Sequence, residues 1–124
     1  MGGRPTLLVF DSVLGGLTVY REVAAVRPDG DRFTISVDGK TVGSTYFADR
    51  DGTRVFYHTE VDDAYQGRGL ATILVGEAVR ATHNAGMRIV PVCDVVAGYV
   101  EKHPEFSDAV DAPTPEISQW VAGN

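Results

Sequence analysis

The sequence is poor in cysteine and in long apolar segments, and both shortages exclude particular classes of protein. A single cysteine, Cys93, among 124 residues excludes an internal disulfide and a cysteine-based zinc site. The three histidines have no compact metal-ligand spacing, so we expect no metal site. No apolar run approaches the roughly 20 residues that span a bilayer, and residues 1–5 lack the pattern of a secretory signal. We therefore expect a cytoplasmic protein that does not bind membranes.

An excess of positive charge is also missing. The formal net charge of −6 at pH 7 argues against nucleic acid as a partner, and it is compatible with a cationic substrate such as a free amine. Hydrophobic residues make up 44% of the chain and charged residues 23%, which is typical of a globular protein. A chain of this length suits one domain that folds without disulfides.

Two Asp-Gly pairs divide an alternating stretch into a predicted three-stranded antiparallel meander. The expected strands cover residues 32–38, about 41–48 and 54–61, joined by turns at Asp38-Gly39 and Asp51-Gly52, because both residue types tolerate positive φ. Residues 7–10 could form a short strand, but the first thirty residues show no clean period. The predicted organisation is an N-terminal extension (1–30), a domain (31–110) and a C-terminal tail (111–124) that is loose or forms a short helix around 116–121.

The apolar period changes from two to 3.6 at Leu70, which predicts a long helix that ends at Gly86. Gly76 inside this helix points to a close packing contact. A buried strand is expected at 87–92, followed by a short helix at about 95–102 that Asp94 caps. The apolar face of the long helix is expected to contain Leu70, Leu74, Ala78 and Ala81, and that of the short helix Val95, Val96, Tyr99 and Val100. The expected fold class is α/β (α+β), with a mixed, mainly antiparallel sheet and these two helices.

A glycine-rich turn, Tyr65-Gln66-Gly67-Arg68-Gly69-Leu70-Ala71, joins the third meander strand to the long helix. Amides at a helix start lack intrahelical acceptors, and the helix dipole adds partial positive charge, so this turn predicts an anion site that suits phosphate. No lysine follows the glycines as a P-loop requires, and Thr72 stands where a dinucleotide-binding fingerprint has its third small residue. The alternative is a strand-to-helix turn that binds no ligand.

The spacing Gln66-x-x-Gly69-x-Ala71 resembles the Gln/Arg-x-x-Gly-x-Gly/Ala signature of the GNAT (N-acetyltransferase) superfamily. Three further blocks, at 56–61, 90–93 and 99–106, resemble its short single-domain subfamily, which has one cysteine and a Tyr…His-Pro-Glu ending; the resemblance covers roughly residues 32–110. It implies a GNAT-like fold that binds acetyl-CoA through the turn. The residues implied to hold the cofactor are Val61, Gln66, Gly67, Arg68, Gly69, Leu70, Ala71 and Thr72. Members often have Cys-Pro-aromatic where this chain has Cys93-Asp94-Val95.

The same resemblance implies acetyl transfer to a primary amine, with four candidate catalytic residues. Cys93 is implied to lie at the acyl end of the cofactor, where it takes the acetyl group or shapes a direct attack; an inert buried cysteine is the alternative. Tyr99 is implied as the general acid for the departing thiolate, unless it is only an aromatic core residue. Glu60 and His58 share one strand face, and either could deprotonate the amine, although an exposed structural pair has the same pattern.

Three functions remain open at this point. The first is an N-acetyltransferase that acts on a small molecule, a protein lysine or a protein N-terminus. The second is a non-catalytic coenzyme A or acyl-CoA-binding module or sensor, and the third is a variant with an empty cleft, which the intact turn disfavours. The expected partners are acetyl-CoA and an amine or protein acceptor, and an edge strand of the meander leaves a monomer or a homodimer open.

Overall fold

The computed structural model describes residues 6–14 and 18–123. The described residues form six strands and three α-helices, and short 3-10 turns cover Asp63–Tyr65 and Pro104–Ala109. The elements in chain order are β1 (Thr6–Leu14), β2 (Thr18–Asp29), β3 (Arg32–Val37), β4 (Lys40–Arg50), β5 (Thr53–Val61), α1 (Leu70–Asn84), β6 (Arg88–Pro91), α2 (Asp94–Lys102) and α3 (Pro115–Ala122).

The strands form one sheet in the order β1-β2-β3-β4-β5-β6. All neighbouring strands are antiparallel except β5 and β6, which are parallel because α1 connects them. Both Asp-Gly turns have the predicted positive φ, with 50° at Asp38, 86° at Gly39, 52° at Asp51 and 76° at Gly52. These local conformations produce the β3–β4 and β4–β5 hairpins, and the expected mixed, mainly antiparallel sheet is confirmed.

The sheet continues into the region for which the sequence showed no clean period. β2 pairs with β3 from Asp29↔Arg32 to Ala24↔Val37, and β1 pairs with the first part of β2. Ala24 and Val26 lie in the core. The predicted limit at residue 30 therefore falls in the hairpin turn between β2 and β3.

α1 covers one face of the sheet. Its buried residues are Leu70, Leu74, Val75, Gly76, Ala78, Val79 and Thr82. They pack against apolar side chains of the central strands, among them Phe33, Ile35, Phe47 and Phe56. The predicted position of Ala81 on this face is wrong, because Ala81 is exposed and Thr82 faces the sheet, where its hydroxyl donates to the carbonyl of Ala78 at 2.8 Å.

The start of α2 differs from the prediction. Asp94 is the first helical residue and Cys93 holds the N-cap position, without a side-chain cap hydrogen bond. The cause is that the Cys93 N–H donates to the carbonyl of Phe56 at 2.9 Å, which keeps Cys93 extended until the helix begins. The predicted inner face is also partly wrong: Val96 is fully buried, but Val95 is 41% exposed.

The C-terminal tail forms a helix, which was one of the two predicted alternatives; the other was a loose tail. Thr114 caps α3 by accepting a hydrogen bond from the Ile117 N–H at 3.2 Å. Arg50 of β4 donates two hydrogen bonds to the Glu116 carboxylate, at 2.7 and 2.9 Å, and its guanidinium lies 4.8 Å from the centre of the Trp120 ring. In the described part of the chain, no helix is long and apolar enough to span a membrane.

Candidate cofactor and acceptor site

The short strand β6 pairs along its whole length with only the first half of β5. The ladder runs from Thr53↔Arg88 to Phe56↔Pro91 and ends with the hydrogen bond from Cys93 to Phe56. On its other edge, β5 stays paired with β4 as far as Val61. The edge of residues 57–61 that would face β6 thus has no strand partner among the described residues, and apart from the Val61 carbonyl, which accepts from the Gln66 side chain, its backbone groups are available to a ligand.

A cleft of about 310 Å³ lies at this end of β5. It is lined by Thr59, Glu60, Val61, Gln66, Ala71 and Val95. A second cavity of about 260 Å³ lies between α1 and α2 and includes Thr72, Val95 and Tyr99. Because Val95 lines both, the two cavities meet at this side chain, and its exposure leaves a continuous surface across the start of α1.

The glycine-rich turn forms one end of the cleft. Gly67 and Gly69 have φ values of 80° and 76°, a conformation that L-residues with side chains rarely adopt. A Cβ atom at either glycine would meet nothing within 4 Å, so the space before the turn is open. The Gln66 side-chain amide donates to the carbonyl of Val61 at 3.0 Å and ties the turn to the end of β5.

The first amides of α1 are free for an anion. Gly69 at the N-cap has no side chain to cap them, and the N–H groups of Leu70, Ala71 and Thr72 have no intrahelical acceptor. The guanidinium of Arg68 lies over the Tyr65 ring, 5.1 Å from its centre. The predicted cofactor residues are thereby brought together: Val61, Gln66 and Ala71 line the cleft, and the others form the turn and the first helical turn beside it.

Cys93 lies behind Thr59, which lines the cleft. Its thiol donates to the Thr59 hydroxyl at 3.3 Å, and Thr59 shares a 2.8 Å hydrogen bond with the fully buried Thr45, in which either hydroxyl can be the donor. Since Thr59 lines the cleft, one side chain connects Cys93 to it. Thr59 was not among the predicted residues; the available signal was its place between His58 and Glu60, on the opposite face of the strand.

Tyr99 packs on α1. Its hydroxyl lies 2.8 Å from where a Cβ atom of Gly76 would be, which confirms the close contact predicted for that glycine. The ring stacks on His103 with centres 3.9 Å apart, and His103 Nδ1 is 2.8 Å from the carbonyl oxygen of Tyr99. Burial raises the pKa of Tyr99, so its hydroxyl is protonated at neutral pH. Tyr99 lines the α1–α2 cavity, whereas Cys93 contacts the wall of the β5 cleft.

The structure brings His58 and Glu60 together with a residue that the sequence did not single out. His58 Nε2 lies 3.2 Å from one Glu60 carboxylate oxygen, and the Tyr46 hydroxyl donates to the other at 3.1 Å. The rings of Tyr46 and His58 stack, with centres 5.7 Å apart. Both oxygens of Glu60 are thus held in place at the edge of the cleft that Glu60 helps to line.

Comparison with known proteins supplies the family. The family described as GCN5-related N-acetyl-transferase matches residues 32–109, well over half of the chain. The chain belongs to this family. Among solved structures, the NMR solution structure of a GCN5-like protein from Staphylococcus aureus matches with a TM-score of 0.55 and 17% identity, over 73% of this chain and 90% of that one. At that identity the likeness supports the GNAT fold alone. No curated protein matches the chain.

The GNAT match includes every predicted site residue, from His58 to Tyr99. At family level the chain is therefore an acyltransferase of the N-acetyltransferase type, and proteins of this family generally use acetyl-CoA. No group of three His, Cys, Asp or Glu side chains in the described residues is placed to hold a metal ion.

Proposed function

We propose that this GNAT protein is an acetyl-CoA-dependent N-acetyltransferase that acetylates a primary amine of a small molecule, a protein lysine or a protein N-terminus. One observation carries the proposal. The unpaired edge of β5 and the uncapped start of α1 border the same cleft, so amide groups and phosphates of one extended ligand have partners side by side.

The residues present fit acetyl-CoA. The amides of Leu70, Ala71 and Thr72, with the open space before Gly67 and Gly69, suit a pyrophosphate. The backbone of residues 57–61 suits the amides of the pantetheine arm, in the way that an exposed strand edge binds an extended peptide. Acetyl-CoA supplies the activated acetyl group as a thioester.

Glu60 suits the role of proton acceptor for the amine. Tyr46 and His58 hold its two carboxylate oxygens at the edge of the cleft, where an amine could lose its proton before or during attack. As the amide bond forms and the thioester carbon–sulfur bond breaks, the amine gives one proton to Glu60 and the departing sulfur takes one from Tyr99. The raised pKa of Tyr99 keeps that proton available at neutral pH.

Cys93 has two compatible roles. Its hydrogen bond to the cleft residue Thr59 supports a role beside the acetyl group, in which it shapes a direct attack by the amine or itself receives the acetyl group before the amine does. Mass spectrometry of the protein after incubation with acetyl-CoA alone distinguishes these roles, because only the second adds an acetyl group to Cys93.

Thermal stability with and without acetyl-CoA tests the cofactor site. A ligand that binds only the folded state at 100 times its Kd stabilises by about 2.7 kcal/mol, so the melting temperature should rise with concentration. Gly69→Asp should abolish the rise by placing negative charge where the phosphates lie, and Gly69→Asn is the matched control because both residues tolerate positive φ. Equal acetyl-CoA affinity in the two variants would refute the assigned phosphate site.

A non-catalytic coenzyme A-binding module or sensor is the second candidate. The observation that favours it is that Tyr99 lines the α1–α2 cavity, whereas Cys93 contacts Thr59 of the β5 cleft. An amine panel with labelled acetyl-CoA, run on the native chain and on Cys93→Ala, separates the two candidates. Binding without transfer to any amine would support the module.

A further inference from the structure

A row of four polar side chains crosses the face of the sheet opposite α1. The register aligns Arg27 of β2 with Thr34 of β3, Thr34 with Ser44 of β4, and Ser44 with Glu60 of β5. Residues directly opposite one another in an antiparallel pair point to the same face. We call these four residues the Arg27–Glu60 row, and a cavity of about 760 Å³ that Arg27 and Thr34 line lies over its β2–β3 part.

The middle of the row contains two buried hydroxyls that lack partners. Thr34 is 5% exposed and Ser44 is 6% exposed, and neither side chain makes a hydrogen bond in the described part of the protein. Buried polar side chains nearly always have a hydrogen-bond partner. Because Thr34 also lines the cavity over β2 and β3, these unpartnered hydroxyls point to a ligand bound on this face of the sheet.

The two ends of the row carry opposite charges. Arg27 is exposed and forms no ion pair with the described residues, whereas its neighbour Arg32 contacts both Asp29 and Tyr46. At the other end is Glu60, which also lines the cleft beside β5. Three strand-to-strand steps of about 4.8 Å separate the Cα atoms of Arg27 and Glu60 by about 14 Å. If the Arg27 and Glu60 side chains extend toward each other, the distance between their charged groups suits a short molecule with a cation at one end and an anion at the other.

We propose that the acceptor is an aliphatic amine that carries a carboxylate, bound along the Arg27–Glu60 row with its amine at Glu60 and its carboxylate at Arg27. This inference rests on the proposed acetyl transfer and names the acceptor class. Guanidinium and carboxylate form paired, charge-assisted hydrogen bonds, and the hydroxyls of Thr34 and Ser44 face the chain between the two charged groups. An amine without an anionic group leaves Arg27 without a partner.

Two isosteric acceptors, 6-aminohexanoate and 6-aminohexanamide, test the proposal because they differ in the charge of one end. In steady-state acetylation, the native chain should have a KM about tenfold lower for the carboxylate than for the amide, as expected for one charge-assisted pair. Arg27→Gln should remove that difference, and Arg88→Gln, which changes the net charge equally on the edge strand β6, should preserve it. Equal KM values in the native chain, or an equal effect of Arg27→Gln on both acceptors, would overturn the proposal.

A binding measurement separates this inference from the proposed function. In an NMR titration with 6-aminohexanoate in the presence of acetyl-CoA, the amide signals of Thr34 and Ser44 should shift in the native chain and remain unchanged in Arg27→Gln. Shifts without any acetylated product would leave the acceptor site standing and contradict the transferase function. Unchanged signals in a chain that binds acetyl-CoA would overturn the acceptor site alone.

Discussion

Replacing Gly76 with alanine tests how tightly Tyr99 is held against α1. The added Cβ atom would lie 2.8 Å from Tyr99 Oη, 3.1 Å from Cζ and 3.3 Å from Cε2. The ring has little room to retreat, because its plane lies 12° from that of His103 at a centre-to-centre distance of 3.9 Å. The substitution therefore forces either the ring or α1 to move.

The expected magnitude is the difference between two opposing effects. Gly→Ala in an unobstructed helix interior stabilises by about 1 kcal/mol, whereas overpacking costs about 1–3 kcal/mol. We expect Gly76→Ala to destabilise the protein by about 1 kcal/mol, or a fall in melting temperature of about 3–5 °C for a domain of this size.

Urea unfolding of matched variants measures this effect. Gly98 of α2 provides the control, since a Cβ atom there meets nothing within 4 Å and Gly98→Ala should stabilise. Combining Gly76→Ala with Tyr99→Phe, which removes the closest contact, should recover at least half of the loss. Stabilisation by Gly76→Ala as large as that by Gly98→Ala would refute the packing of Tyr99 against α1.

Three further results are expected. Arg50 lowers the pKa of Glu116 below its ordinary value of 4.5, so their contact stabilises α3 above that pH and is lost as the pH falls through the folded-state pKa. The fluorescence of Trp120 should report this acid step. A step of equal size in Glu116→Gln would contradict the prediction. Glu60→Gln should lower kcat by about 100-fold or more while the acetyl-CoA affinity stays the same, and an unchanged kcat would exclude Glu60 as the base. Thr34→Val should raise the stability of the ligand-free protein by about 1 kcal/mol, because it removes a buried hydroxyl without a partner. The same substitution should raise the KM for 6-aminohexanoate. A loss of stability would show that this hydroxyl has a hydrogen-bond partner.

The elements that the sequence predicted well are those that depend on neighbouring residues. Asp38-Gly39 and Asp51-Gly52 need only their own tolerance of positive φ to make a hairpin turn. The glycine-rich turn and the helix after it follow from a local change of period at Leu70. Gly76 could be interpreted because its cost within a helix requires a packing reason.

The predictions that failed concern which side of an element faces the core. Val95 is exposed because it lies where the two cavities meet, and Ala81 is exposed because Thr82 takes the inward position. Asp94 has the chemistry of a cap, but the hydrogen bond from Cys93 to Phe56 sets the start of α2 instead. Each outcome depends on a tertiary contact, which the apolar period of a single segment does not reveal.

The site residues that the sequence missed are paired across strands. Tyr46 reaches Glu60, and Thr45 reaches Thr59, across 14 positions in the chain. These pairs depend on the β4–β5 register, which shifts at Tyr46/Phe47. A one-residue change in register reverses the face of every side chain that follows, so a strand pattern alone could not bring these residues together.

Acetyl transfer itself, followed by mass spectrometry of the amine after incubation with the protein and acetyl-CoA, tests the central claim most directly. The proposed function predicts an N-acetylated product that forms with the native chain and is lost in Gly69→Asp. If acetyl-CoA stabilises the native chain but no amine of the panel is acetylated, the chain is a coenzyme A-binding module and the proposed enzyme activity is contradicted.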